Sequence, residues 1–475
     1  MGEKMEKFDY AIIGQGAAAF SAAIKANEIG IKTTMIGKNE TNGAVLGGTC
    51  INVGCVPSKR LVAASTFAHT LNMHPFKGIE YKIGKIDYAK IIEDKDNLVE
   101  ELHRQKYEEV IAGLENVAYI NEFGTFIDKN TVKAGNREIS ASKILIATGA
   151  RASVPGIEGI DKIDYLTNET ALSLKKLPKS IIIVGGRALG LEFAQMFRRF
   201  GSEVTVLQRS ASIIPEHEQI VSELLSKYLK DEGVKIFTNI ALESVSAHNG
   251  TKSVAARKDG KEVHFEAEEL LFATGRKPNT EKLKHEKIGL KFSDSGFIKI
   301  NEFMETNIGN IYAAGDVTGE PMLETVAAKE GNIATRNAFE GRKLKMNKNE
   351  IPKAIFTDPE VASVGLTENE VHASGIRCAC NALPLSMVAK ASILGDTRGA
   401  VKIVIDYKTN KVLGMHIIAR GAADMIQEGV MAVKFGLTIE DLIDTMHVFP
   451  TLGEAVKLAA QSFYHDVSKM SCCTD

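Results

Sequence analysis

Two segments of the chain repeat the same strand–turn–helix pattern, and this repeat constrains the fold more than any other feature. In the first segment the apolar run Asp9–Ile13 breaks at a glycine-containing turn, and an alanine-rich stretch continues to Asn27. Such a turn lets the backbone approach a pyrophosphate at the N-terminus of a helix. We therefore expect a dinucleotide at the turn formed by Gly14, Gly16 and Ala19.

The second segment has the strand Ser180–Val184, a turn containing Gly185 and Gly190, and a further strand at Glu203–Leu207. Two such units predict an α/β fold with two Rossmann-like domains, each binding a dinucleotide. The chain then returns to the first domain at Ile311–Asp316. From about residue 351 the pattern changes to strands and helices that predict a third, α+β domain for subunit pairing.

The six cysteines include a pair, Cys50 and Cys55, that is separated by four residues. The following stretch, 56–68, has a helical pattern, so one thiol should lie near a helix N-terminus, where the helix dipole favours the thiolate. A redox-active disulfide is the favoured interpretation; a static disulfide or two inert core cysteines is the alternative. Lys59, one turn later, could stabilise negative charge, with Glu192 as its candidate ion-pair partner.

Composition excludes several other classes of function. The 58 basic and 60 acidic side chains leave a formal charge of -2, so we expect no recruitment of nucleic acid. The apolar stretches are strand-sized and too short for a membrane span. The first residues lead directly into a nucleotide-binding strand without a secretory signal, and six cysteines suit a reducing compartment. We expect a cytoplasmic protein.

These motifs, together with the segments Gly47–Lys59, Ala273–Asn279 and Phe356–Glu360, carry a family resemblance over nearly the whole chain. The sequence resembles the class I pyridine nucleotide-disulfide oxidoreductases, flavoproteins that include glutathione reductase, lipoamide dehydrogenase and mercuric reductase. The resemblance implies FAD and NADPH as cofactors and a homodimer. It implies an FAD-binding domain at 1–152 and 280–348, an NADPH-binding domain at 153–279 and a dimerisation domain at 349–475.

The resemblance also implies roles for individual residues. Cys50 becomes the interchange thiol and Cys55 the flavin-side thiol, with Asp316 contacting ribityl or ribose hydroxyls. The full set of implied cofactor-binding residues is Gly14, Gly16, Ala19, Gly48, Thr49, Lys59, Thr148, Gly149, Gly185, Gly190, Glu192, Gln208, Arg209, Gly275 and Asp316.

The C-terminal region narrows the range of possible substrates. Family members that reduce organic disulfides have a histidine acid/base in a His-x-His-Pro-Thr segment, and here that position is Phe449, followed by Glu454. Loss of a positioned acid/base costs about two to four decades in rate, which argues against an efficient disulfide reductase. Mercuric reductases are similar to this chain in their non-histidine site and in the Cys472-Cys473 tail.

That similarity implies reduction of Hg(II) to Hg(0). Cys472 and Cys473 of one subunit would hand the metal to Cys50 and Cys55 of the other. The alternative for the tail is a frayed chain end without function. At the level of the whole chain, two other functions remain open: an NADPH-dependent reductase of a low-molecular-weight disulfide, and a protein that sequesters soft metals without turnover.

Both nucleotide-binding units contain residues that depart from the family pattern. Gly37 stands where an acidic residue usually contacts the adenosine ribose, and Glu40 could substitute. Arg187 replaces the middle glycine of the second turn, where it would crowd a pyrophosphate unless it points outward or pairs with it. In the second unit Gln208 stands at the position of the usual carboxylate and is followed by Arg209. Loss of the carboxylate together with a neighbouring guanidinium predicts NADPH over NADH.

Cys378 and Cys380 share one face of a predicted strand and receive no role.

Overall fold

The structure is a computed structural model that describes residues 5–38, 46–80 and 84–470. Its strands, in chain order, are β1 (Glu6–Ile13), β2 (Thr33–Ile36), β3 (Val117–Ile120), β4 (Gly124–Phe126), β5 (Thr131–Ala134), β6 (Arg137–Ile146), β7 (Ala150–Ala152), β8 (Ser180–Val184), β9 (Glu203–Leu207), β10 (Lys235–Phe237), β11 (Ile240–His248), β12 (Thr251–Lys258), β13 (Lys261–Ala267), β14 (Glu269–Phe272), β15 (Arg276–Pro278), β16 (Ile311–Ala313), β17 (Lys353–Ile355), β18 (Glu360–Gly365), β19 (Cys378–Pro384), β20 (Ala400–Asp406) and β21 (Val412–Ala419).

The α-helices are α1 (Ala17–Glu28), α2 (Gly48–Val53), α3 (Cys55–Met73), α4 (Tyr88–His103), α5 (Glu109–Ala112), α6 (Asn168–Ala171), α7 (Ala188–Phe200), α8 (Gln219–Asp231), α9 (Glu324–Phe339), α10 (Glu368–Ala373), α11 (Ala389–Leu394), α12 (Ala422–Phe435), α13 (Ile439–Asp444) and α14 (Glu454–Gln461). A π-helical segment, Arg104–Glu108, joins α4 to α5. Within the described residues, each helix is too short or too polar to span a bilayer.

The chain forms two compact units. The first comprises residues 1–58, 92–154 and 274–346. Its main sheet has the order β3-β2-β1-β6-β5-β4, and β16 pairs with β6. Strands β1, β2, β3, β6 and β16 run parallel, which is the arrangement of a nucleotide-binding sheet with crossover helices.

Both faces of this sheet are covered, because alternate residues of the central strands enter different cores. On β1, Ala11 and Ile13 pack in one cluster while Tyr10 and Ile12 pack in the other. The second cluster also contains the small buried side chains of α1, which allow α1 to pack closely on α9. The alanine-rich sequence therefore serves close packing beside the nucleotide-binding turn.

The second unit comprises residues 59–91, 155–273 and 347–475. It contains a parallel sheet in the order β10-β9-β8-β14 and an antiparallel sheet in the order β11-β12-β13. It also contains the antiparallel sheet β17-β18-β21-β20-β19, whose apolar core is shared with α12, α13 and α14.

Most predicted elements are confirmed. Both strand–turn–helix units are present, and β16 rejoins the first sheet as the return at Ile311–Asp316 predicted. Residues Tyr88–Ala112 are helical throughout and pass through the π-helical segment. The two-Rossmann fold class is confirmed, whereas the predicted three-domain boundaries stay a prediction.

Candidate active site

The turn between β1 and α1 forms the first glycine cradle. Gly14 has a φ of +146°, and a Cβ on this residue would overlap the carbonyl oxygen of Ala147. Gly16 lies at the start of α1, where a Cβ would meet Gly48 at 3.8 Å. Ala19 is fully buried under the turn. A side chain at Gly14 would clash with the Ala147 backbone, so the turn stays bare, as close approach of a pyrophosphate requires.

A second glycine turn meets the first one from the opposite side. Gly47 and Gly48 both have positive φ, and a Cβ on Gly48 would lie 2.8 Å from the Cα of Gly16. Thr49 follows at the beginning of α2, and its hydroxyl oxygen accepts a hydrogen bond from Arg276 at 3.1 Å. The two turns therefore bring two stretches of bare backbone into close contact.

The two predicted redox thiols follow directly. Cys50 lies in α2, and Cys55 is the first residue of the 19-residue helix α3, so the expected placement of one thiol at a helix N-terminus is confirmed. Both are thiols in this structure, with Cys50 half-buried and Cys55 exposed. The hydrogen bond with Cys55, followed by burial, raises the pKa of Cys50. The fold therefore places the two sulfur atoms in contact at the junction of α2 and α3.

Tyr107 and Glu324 border this thiol pair. Burial is the main cause that raises the pKa of Tyr107 to about 12, so its hydroxyl stays protonated. The Glu324 carboxylate also contributes to the raised pKa of Cys50. Neither residue was identified from the sequence, because each comes from a segment without a recognisable motif.

Arg276 links three separate segments of the first unit. Its guanidinium donates to Thr49 and to the carbonyl oxygen of Ala150, and its Nε lies 3.5 Å from Asp316 Oδ2. Burial raises the pKa of Asp316, although the Arg276 charge opposes this shift. The sequence predicts no contact for Arg276, which stands there only as part of the family segment Ala273–Asn279. Its position directly after a Thr-Gly turn was the available signal.

Two buried polar atoms in this region make no hydrogen bond among the described residues: Thr148 Oγ1, and Arg276 Nε, whose contact with Asp316 is an ion pair only. Gly149, with a φ of +69°, and Gly275, with a φ of +106°, keep the adjoining backbone without side chains. Unsatisfied buried polar groups are rare and require a partner. Together with the glycine cradle, they fit the phosphate and hydroxyl groups of a dinucleotide such as FAD.

Gly37 departs from the family pattern for a local steric reason. A Cβ at this position would lie 2.7 Å from the Cβ of Gln15. The Tyr119 hydroxyl is 2.9 Å from both Gln15 Oε1 and the Gly37 carbonyl oxygen. A larger residue at position 37 would displace this arrangement. Glu40, the predicted substitute, lies outside the described residues.

The turn after β8 forms the second cradle. Gly185 has a φ of +120° and a Cβ there would overlap the Ala273 carbonyl oxygen, while a Cβ on Gly190 would overlap the Gly185 carbonyl oxygen. Arg187 points outward: its side chain is 60% exposed and its Nε lies 3.5 Å from Glu216 Oε2. The predicted crowding is therefore avoided by the outward orientation.

Gln208 and Arg209 have different environments. Gln208 is buried, and its Oε1 accepts a hydrogen bond from the Gly186 N–H at 3.0 Å, so the side chain braces the turn. Arg209 is exposed. This leaves Arg209 as the group of the pair that can reach a bound phosphate.

Lys59 and Glu192 form the expected ion pair, with Lys59 Nζ 2.6 Å from Glu192 Oε2. The other carboxylate oxygen accepts a hydrogen bond from the Phe356 N–H at 2.9 Å. The Lys59 ammonium also lies 4.9 Å from the centre of the Phe356 ring. The pairing is confirmed, and the catalytic role predicted for both residues stays a prediction.

The C-terminal region supplies no proton-transfer group at position 449, since Phe449 is an exposed hydrocarbon ring. The neighbouring His447 is held with Nδ1 2.9 Å from the Thr445 carbonyl oxygen and Nε2 2.9 Å from Glu428 Oε1. Glu454 begins α14, and burial raises its pKa. Cys472 and Cys473 lie outside the described residues.

Comparisons with known proteins agree on one family. Residues 8–331 match the pyridine nucleotide-disulphide oxidoreductase model, and residues 351–460 match the dimerisation domain of the same family. Mercuric reductase of Lysinibacillus sphaericus is 42% identical over 98% of this chain and 85% of its own length. Mercuric reductase of Bacillus cereus is 41% identical over 98% of this chain and 73% of its own length.

Among solved structures, the HOCl-induced flavoprotein disulfide reductase RclA from Escherichia coli has a TM-score of 0.85 and 29% identity, with 96% of this chain and 99% of that chain covered. The family matches span both strand–turn–helix units and the C-terminal sheet. The chain therefore belongs to the pyridine nucleotide-disulphide oxidoreductase family.

Proposed function

We propose that this protein is an NADPH-dependent flavoenzyme that reduces Hg(II) to Hg(0). The carrying observation is the contact between Cys50 and Cys55 at the junction of α2 and α3, beside the first glycine cradle. Two sulfur atoms in contact can store an electron pair as a disulfide and dithiol, and they can also bind a thiophilic cation. The mercuric reductases among the relatives support this substrate.

The overall reaction needs no proton donor from the protein. An Hg(II) bis-thiolate takes two electrons from NADPH and leaves as Hg(0); two thiolates and one proton are released, and the nicotinamide becomes NADP⁺. Bound FAD and NADPH would supply the electron pair. Residues of the chain hold the cofactors, orient the thiols and bind the metal, and Phe449 suits a reaction in which no thiol leaving group needs a positioned proton donor.

The cofactor assignments follow the two cradles. Gly14, Gly16, Ala19, Gly48 and Thr49 would hold FAD, with Thr148, Gly149, Gly275 and Asp316 around its hydroxyl and phosphate groups. Gly185, Gly190 and Glu192 belong to the NADPH side, with Gln208 bracing the turn and Arg209 facing the 2′-phosphate. Lys59, paired with Glu192, would stabilise negative charge during reduction of the cofactor.

The assembly we propose is a cytoplasmic homodimer that binds neither nucleic acid nor membrane. Its domains would be an FAD domain at 1–152 and 280–348, an NADPH domain at 153–279 and a dimerisation domain at 349–475. Cys472 and Cys473 of the partner subunit would deliver the metal to Cys50 and Cys55. The matched dimerisation domain supports the homodimer, and the near-zero net charge of -2 supports the absence of a polyanion partner.

A second candidate is reduction of a low-molecular-weight disulfide, which the likeness to a flavoprotein disulfide reductase favours. The test is a substrate screen in which NADPH oxidation is followed with thiol-complexed Hg(II) and, separately, with small disulfides. The proposal predicts oxidation that depends on mercury and a background rate with disulfides. The opposite pattern would select the second candidate. A protein that only sequesters metal would bind mercury without oxidising NADPH.

A further inference from the structure

The two cysteines without a predicted role lie on β19, an edge strand of the C-terminal sheet. Cys378 and Cys380 are two residues apart, so both side chains point to the same face of the strand. Their sulfur atoms are 3.7 Å apart, with the Cys380 thiol donating to Cys378. Both residues are half-buried. The strand thus presents a pair of thiols in contact.

The short helix α10 packs against this pair and supplies two proton acceptors. His372 Nε2 lies 3.3 Å from Cys378 Sγ, and the Glu368 carboxylate lies beside the Cys380 thiol, which helps to lower the pKa of Glu368. Glu368 is itself fixed by Lys402, whose Nζ lies 2.6 Å from Glu368 Oε2. A capping box between Thr367 and Glu370 fixes the start of α10. Both sulfur atoms therefore have defined neighbours.

The geometry disfavours a disulfide between these two cysteines. Residues two apart in a strand are separated by about 6.6 Å along the strand, at roughly 3.3 Å per residue. A disulfide requires Cβ atoms about 3.8 Å apart, so the backbone of β19 would have to distort. Side-chain rotation alone brings the sulfur atoms into contact. The pair can therefore remain a dithiol.

We propose that Cys378 and Cys380 form a second binding site for a thiophilic cation, taking Hg(II) as a two-coordinate bis-thiolate. Two S–H bonds break, two S–Hg bonds form, and two protons leave, with His372 and Glu368 as the nearest acceptors. No electron is transferred. Among the described residues no group of three or more His, Cys, Asp or Glu side chains could hold a metal ion, and a bis-thiolate needs only two ligands.

This site would bind the metal ion without turning it over. The proposal can therefore be tested independently of the proposed reductase activity. Its chemistry rests on the chelate effect: once one thiolate holds the ion, the second binds it at a high effective concentration. A pair of small thiols in solution lacks that advantage. The site should therefore retain mercury in the presence of a competing monothiol.

The chain permits a clean test because it has six cysteines. Changing Cys50, Cys55, Cys472 and Cys473 to serine leaves Cys378 and Cys380 as the remaining thiols. The variant, purified with its flavin, is mixed with HgCl₂ and excess glutathione, desalted and analysed for mercury and by native mass spectrometry. We expect about one mercury per chain, with a mass showing the loss of two protons.

The matched control adds Cys380→Ser to the same background and should retain no mercury against glutathione. Failure of the parent variant to retain mercury, or equal retention after Cys380→Ser, would overturn the proposal. If the parent variant does not fold, the comparison is made between the wild-type protein and Cys378→Ser/Cys380→Ser in the otherwise intact chain. The double variant should then hold about one mercury fewer per chain, and an unchanged stoichiometry would refute the site.

Discussion

Lys59 and Glu192 are 133 positions apart in the sequence, yet their side chains meet at 2.6 Å. The Glu192 side chain is 3% exposed, whereas that of Lys59 is 32% exposed. Lys59→Met would therefore leave a buried carboxylate with the Phe356 N–H as its remaining described hydrogen-bond donor. We expect the free energy of unfolding to fall by about 1–3 kcal/mol, measured by urea denaturation.

The control for this prediction is Lys59→Met combined with Glu192→Gln. The neutral amide can still accept from the Phe356 N–H and no longer buries a charge, so the double variant should recover part of the lost stability. The single variant Glu192→Gln completes the comparison. If Glu192→Gln lowers the free energy of unfolding as much in the Lys59→Met background as in the wild-type protein, the two side chains are not coupled.

Electron uptake separates the role of Cys55 from that of the flavin. The wild-type protein should consume about two electron pairs per chain in an anaerobic titration, one for FAD and one for the Cys50–Cys55 disulfide. Cys55→Ser should consume about one, keep its yellow colour, and lose mercury-dependent turnover. A variant that still takes up two electron pairs would show that another disulfide accepts the second pair.

Coenzyme preference depends on Arg209 in this account. Because Gln208 is engaged with the Gly186 N–H, Arg209→Ala should remove the main contact to the 2′-phosphate. The KM for NADPH should rise by about 10- to 100-fold, as expected for a charge-assisted hydrogen bond worth about 1.5–3 kcal/mol. The KM for NADH should change little. Steady-state kinetics with both coenzymes measures the ratio.

Arg257→Ala is the matched control for Arg209, because it removes an exposed arginine that pairs with Glu243 on the separate β11-β12-β13 sheet. It should leave the NADPH to NADH ratio unchanged. Equal loss of preference in both variants would point to general electrostatic attraction of NADPH, and better turnover with NADH than with NADPH in the wild-type protein would contradict the assignment.

The tail cysteines should matter most when small thiols compete for the metal. Cys472→Ala/Cys473→Ala should lower kcat/KM for mercury in excess glutathione by about 10²-fold, because a tethered pair acts at high effective concentration. Thr474→Ala serves as the control and should behave as wild type. Identical kinetics for all three proteins would remove the tail from the mechanism.

The parts of the fold that follow from local pattern were predictable. The turn at Gly14, the buried strands β1 and β8, and the position of Cys55 at a helix start all depend on residues close together in the sequence. The ion pair between Lys59 and Glu192 was also predicted, and the structure confirms the contact.

Other parts depend on contacts that the sequence does not reveal. Arg276 contacts Thr49, Ala150 and Asp316, and all three residues are remote from it in the sequence. The outward direction of Arg187 depends on Glu216, and the inward direction of Gln208 on the Gly186 N–H. Side-chain orientation in each case is decided by tertiary partners, while the motif fixes only the position of the backbone.

The central claim is that electrons from NADPH reach Hg(II) and release it as metal vapour. The most direct measurement compares NADPH oxidised with mercury trapped from the headspace, using Hg(II) in excess thiol. We expect about one Hg(0) per NADPH, because both are two-electron couples. Mercury-independent NADPH oxidation, or oxidation without release of mercury, would contradict it.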